Sequence, residues 1–125
     1  MIPRMMRMSR EEFERVVGKA LDGLPPEIAS LLDNVAVVVE DDPTDEDILE
    51  AGLDPETDTL FGLYHGLALP ERGGSYGNVL PDRIVIYRRP LLDSCGDRNE
   101  LIREIQDTVV HEVGHYFGLD EEDLP

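Results

Sequence analysis

Cysteine is all but missing from this chain. Cys95 stands alone, which excludes an intramolecular disulfide and any zinc site built from several thiolates. A single thiol suits a reducing compartment, so the expected location is cytoplasmic. Its neighbours Ser94, Gly96 and Asp97 offer neither a base nor a cation to lower the thiol pKa, and Cys95 therefore reads as a loop residue, not a nucleophile. Long apolar runs are missing too. Nothing approaches the roughly 18 consecutive apolar residues of a membrane-crossing helix, and Met1 to Met8 carries positive charge without the apolar run of a signal peptide. Basic residues are scarce: 11 Lys and Arg face 28 Asp and Glu, a net charge of −17. That balance repels phosphate backbones and anionic lipid headgroups, so neither nucleic acid nor a membrane is an expected partner. Histidine is rarer still, at 3 residues.

Two of those three histidines sit four residues apart, in His111-Glu112-Val113-Gly114-His115, the pattern H-E-x-x-H. On a helix, residues at i and i+4 lie one turn above each other, so both imidazoles can reach one metal ion with the Glu112 carboxylate projecting beside it. With 100° per residue counted from His111, Leu101, Ile102, Ile105, Val109, Val110, Val113, Tyr116 and Phe117 fall between about 80° and 260°, whereas Glu104, Thr108, His111 and His115 fall between about 0° and 60°. The histidines are thus expected at the rim of a buried stripe, where a cleft would expose them.

The motif continues as H-E-x-x-H-x-x-G-x-x-E through Gly118 to Glu121. A helix running on would carry residue 121 roughly 9 Å past His115 along the axis, too far for a metal bond of about 2 Å. The helix must stop, and Gly118 suits the stop because it adopts positive φ at the C′ position and turns the chain back. Glu121 then becomes the expected third ligand, with Asp120 as its rival. An acidic third ligand leaves the ion less positive than a histidine would.

The run His111 to Glu121 resembles the zincin metallopeptidases. Leu60-Phe-Gly-Leu-Tyr-His-Gly66 together with Leu80-Pro-Asp-Arg-Ile-Val-Ile-Tyr-Arg-Arg-Pro90 is similar to a small bacterial "minimal zincin" family, a likeness that spans roughly residues 9 to 123. The resemblance implies a reduced zincin-like α+β fold, a small mixed sheet packed on helices with the active-site helix near the C-terminus, one Zn2+ per chain and peptidase activity. One departure from the metzincin pattern is that no methionine follows the zinc helix, since the four are Met1, Met5, Met6 and Met8. Only ten residues follow His115, so an open, shallow site is expected.

The chain reads as one domain over residues 9 to 125 behind a flexible segment 1 to 8, and its 41% hydrophobic content is enough for a single core. Ser9 and Glu12 form an S-x-x-E capping box, and Phe13, Val16, Val17, Ala20, Leu21 and Leu24 follow helical spacing over residues 9 to 22. Gly23 and Pro25-Pro26 end that helix, and a second short one is expected from Pro26 to Asp33. Val35 to Val39 reads as a buried strand. Glu40 to Asp58 holds ten acidic residues in nineteen positions; it reads as a solvated connection with one helical turn at Asp45 to Ala51, and alternatively as a patch that steers a basic peptide or protein towards the site. Its acids lack the spacing of an EF-hand. Leu60 to Leu69 and Arg83 to Arg88 read as strands on either side of a loop from Arg72 to Asn78. The last helix is expected from near Asp97 to Phe117.

The expected chemistry follows from the ligand set: zinc held by three protein groups keeps a fourth position for water, whose pKa falls towards about 7, and Glu112 takes the proton as general base. Candidate substrate or oxyanion contacts are His65, Tyr64, Tyr76 and Tyr87. His65 is also a candidate third ligand or a side chain on the strand beside bound substrate, where Gly62 and Gly66 would let a peptide backbone approach and add as a further strand. A peptide or protein substrate, basic if the acidic stretch steers it, is the leading expectation. A zinc-stabilised peptide- or protein-binding module without turnover, and an interaction domain without metal, are the other two.

Overall fold

The computed structural model describes residues 6–66 and 82–118. Among these, five helices and three strands run in the order α1 (Arg10–Asp22), α2 (Pro26–Leu31), β1 (Val35–Glu40), α3 (Asp45–Glu50), β2 (Gly62–His65), β3 (Asp82–Tyr87), α4 (Arg88–Ser94) and α5 (Arg98–Tyr116). The fold is α+β, as expected.

Local chemistry accounts for the helices. Ser9 caps α1 by accepting a hydrogen bond from the Glu12 N–H at 3.1 Å, while the Glu12 carboxylate lies 3.6 Å from the Arg98 guanidinium. Phe13, Val16, Val17 and Ala20 recur at helical spacing and are the residues α1 buries. Thr44 and Asp47 form a reciprocal capping box on α3, so the helical turn expected inside the acidic stretch is present. Asp97 caps α5 through the Glu100 N–H at 2.8 Å.

The strands assemble in the order β1-β3-β2, with β1 parallel and β2 antiparallel to the central β3. Side chains alternate between the two faces, and both faces are covered. On one, Val39, Ile84 and Ile86 join Phe13, Val16, Ile105, Val109 and Val113 in the main core under α1 and α5. On the other, Leu63, Val85 and Tyr87 join Ile48 of α3 and Leu60 in a smaller cluster. Each large side chain so buried contributes about 1.5–3 kcal/mol.

Three expectations change. The strand expected over Leu60 to Leu69 is a strand only at Gly62–His65, and the rest of it beyond Gly66, with the loop Arg72 to Asn78, lies outside the described residues. The basic end of β3 is a helix start: Arg88 and Arg89 open α4, and Pro90 sits in its first turn, where a missing N–H costs nothing. Cations there oppose the helix dipole, and Asp41 and Asp42 of the acidic stretch offset them at 2.9 and 3.0 Å. The Arg88 hydrogen bond and charge hold the Asp41 carboxyl below the usual range. Finally, Met6 to Met8 are tied down, since the Met6 N–H donates to Leu92 O at 3.1 Å and Arg88 donates to Met8 O at 2.8 Å.

Candidate metal centre

Helix α5 carries His111, Glu112 and His115 in its last two turns. Leu101, Ile105, Val109 and Val113 are fully buried along one stripe, while His111 and His115 are exposed. The expected rim position is therefore observed. The two imidazole rings lie 4.8 Å apart between centroids and tilt 58° to each other. Two imidazoles bound tetrahedrally to one ion at about 2.1 Å have centroids about 5 Å apart, and the separation of this pair matches that value. Glu112, on the same turn, is half-buried, its Oε1 accepting a hydrogen bond from the Tyr64 backbone N–H at 3.0 Å.

The end of the helix is as the spacing predicts. Phe117 is the C-cap, Gly118 has φ 68°, and the Gly118 N–H donates to His115 O at 3.2 Å, the closing pattern of a helix terminated by a left-handed residue. The helix therefore ends at Phe117, two residues beyond His115. Glu121, Asp120 and Tyr76 lie outside the described residues, and within those residues no group of three or more His, Cys, Asp or Glu is placed to hold a metal.

His65 does not join the pair. It lies opposite Arg83 in the ladder and shares the sheet face of Leu63, away from α5. A period of two decides this, because a strand residue one step from Tyr64 must point the other way. Tyr87 is likewise removed from the site: it is completely buried in the smaller cluster, and its hydroxyl donates to Asp47 Oδ2 at 3.0 Å. Burial and the Asp47 carboxylate push its pKa well above that of an ordinary tyrosine. For Asp47, burial acts upward but the donors Thr44 and Tyr87 prevail, leaving it below the usual range.

Tyr64 reaches Glu112 through its main chain, while its phenol is engaged elsewhere. The hydroxyl donates to Asp82 Oδ2 at 2.9 Å, and the ring stacks on Tyr116 at 4.0 Å. Tyr116 and Phe117, which helical angle alone assigns to the buried stripe, are 44% and 43% exposed. They lie past the end of the core and form an aromatic group with Tyr64 instead. The glycines of this strand make room for the helix: a Cβ on Gly62 would meet Thr108 Cγ2 at 2.7 Å, and one on Gly66 would run into the Tyr116 ring. Cys95 is buried at the end of α4, where loss of solvent and the nearby Glu100, Glu104 and Asp97 push its thiol up to about 11, so it is inert.

A family model described as zincin-like metallopeptidase matches residues 32–125, and the chain belongs to that family. No curated protein matches it. Among solved structures, a conserved hypothetical protein from Thermo thermophilus is 24% identical, with a TM-score of 0.59 over 88% of this chain and 94% of that one; the likeness shows a shared fold. No helix among the described residues is long and apolar enough to cross a membrane.

Proposed function

We propose that the protein is a zinc-dependent peptidase in which His111, His115 and Glu121 hold one zinc ion and Glu112 handles the proton. The observation that carries this reading is the pairing of two exposed imidazoles at 4.8 Å with a carboxylate of the same helical turn anchored by a backbone N–H. Membership of the zincin-like metallopeptidase family supports it at the level of chemistry. When bound, zinc would supply Lewis acidity to the substrate carbonyl and to a water.

The rest falls to the chain. His111 and His115 present their rings from a rigid helix and would supply two of the ligands from that one element. Glu112 has one oxygen, Oε1, engaged by the Tyr64 N–H. Oε2 is the atom we assign to proton transfer, taking a proton from water and delivering it to the leaving nitrogen. Gly118 ends the helix with positive φ, and we assign Glu121 as the third ligand, with Asp120 as its rival. The substrate is a peptide or protein. With a net charge of −17, a basic segment is favoured.

Zinc-loaded protein exposed to a mixed peptide library tests this. Cleavage is the expected result. Stoichiometric zinc with silence across the library would instead favour a zinc-stabilised binding module, and purified protein that takes up no zinc would remove both readings.

A further inference from the structure

Between α5 and the edge of the sheet the side chains alternate along the chain as none, large, none: Gly62, Tyr64, Gly66, all on the face turned to the helix. The void at Gly66 is filled by Tyr116. A Cβ there would overlap three atoms of the Tyr116 ring and hydroxyl, closer than real contacts allow. Held in that void, the Tyr116 ring lies nearly parallel to Tyr64, 4.0 Å from it and inclined by 19°. Tyr64 is fixed at both ends, by its hydroxyl on Asp82 and its N–H on Glu112.

We infer that Tyr116 and Gly66 are positioning residues for Glu112. Tyr116 stands one turn beyond Glu112, at i+4, so the helix that carries the carboxylate also carries the ring that sets where its hydrogen-bond donor lies. The exposed ring explains itself this way. A tyrosine 44% exposed at a helix end adds little to the core, yet its stacking sets the spacing between β2 and the two final turns of α5. Gly66 leaves the place of its side chain to the ring, which a Cβ there would displace. Neither residue touches substrate; both act through the Tyr64 N–H. The inference rests on the proposed role of Glu112.

The alternative is a purely structural contact, and two readouts separate it. The first needs no zinc and no substrate. Amide hydrogen exchange followed by NMR in the metal-free protein reports the Tyr64 N–H directly; Tyr116→Ala is expected to speed its exchange about tenfold relative to the exchange of the buried Ile84 and Ile86 amides, and Tyr116→Phe, which keeps the ring, to leave it unchanged. Gly66→Ala should act like Tyr116→Ala, since it expels the ring. The second is kinetic: in the zinc-loaded protein, Tyr116→Ala and Gly66→Ala lower kcat about 10- to 100-fold with KM and zinc content close to wild type, and Tyr116→Phe restores kcat. Unchanged Tyr64 exchange in both Tyr116→Ala and Gly66→Ala overturns the inference. So does a kcat equal to wild type in a folded Tyr116→Ala protein. Should wild type cleave nothing, the exchange experiment still decides the positioning contact, and it is the peptidase reading that fails.

Discussion

The backbone N–H of Tyr64 donates to Glu112 Oε1 at 3.0 Å across a separation of 48 residues, so strand β2 and the helix of the H-E-x-x-H motif are joined at the carboxylate proposed to move the proton. The bond places the site in the fold. α5 buries Val109 and Val113 on the sheet, and the adjoining turn emerges at the edge of β2 with both imidazoles in solvent.

Zinc binding should stabilise the fold and depend on both histidines. Adding zinc to chelator-treated wild type is expected to raise Tm, by about 2.7 kcal/mol of stability at a hundredfold excess over Kd. His115→Ala should show little of that rise, and His111→Ala the same. Differential scanning calorimetry at matched protein concentration measures it. An equal rise in all three proteins would place the ion elsewhere.

Two glycines should respond oppositely to replacement by alanine. Gly62→Ala puts a Cβ 2.7 Å from Thr108 Cγ2 and 3.0 Å from the Val85 carbonyl oxygen, and overpacking of that kind costs about 1–3 kcal/mol. Gly18, inside α1 with open space around it, should behave as an ordinary helix glycine, and Gly18→Ala is expected to add up to about 1 kcal/mol. Urea unfolding of the two variants checks both signs.

The Tyr87 to Asp47 hydrogen bond should show itself as an alkaline dependence of stability. Tyr87 has a folded-state pKa raised above the unfolded value of about 10, so its contribution is complete below that pH and is lost as pH rises beyond it, because the unfolded chain ionises first. Tyr87→Phe should cost about 1–2 kcal/mol at neutral pH, leaving the buried side of Asp47 without this donor. It should also lessen the fall in Tm above pH 10. A wild-type and variant pair with parallel Tm curves from pH 7 to 11 would contradict the assignment.

Periodicity decides how much of this is legible in the sequence. Leu101, Ile105, Val109 and Val113 mark α5 by their spacing, and Gly118 marks its end with the positive φ it adopts. Caps at Ser9, Thr44 and Asp97 are local chemistry and equally legible. What stays hidden depends on partners distant in sequence. Tyr116 and Phe117 share the angle of the buried stripe, but the sheet does not extend under them, so Tyr64 receives them instead. Alternation cannot say whether one face of a strand is wet; β3, central and covered on both sides, buries Tyr87 as fully as Ile86, which takes away from substrate a tyrosine that its sequence neighbours alone leave available. His65 escapes for a related reason, since its face is set by its register with Arg83. α4 is masked by Pro90, which breaks helices everywhere except the first turn, where it stands.

Replacement of the carboxylate alone tests the central claim most directly. Peptide cleavage by wild type and Glu112→Gln should be compared on samples in which zinc has been quantified per chain. The substitution preserves size and leaves His111 and His115 intact, so both proteins are expected to carry one zinc, while the variant loses cleavage by about 100-fold or more for want of a base. Equal cleavage by the two proteins at equal zinc content would contradict the account.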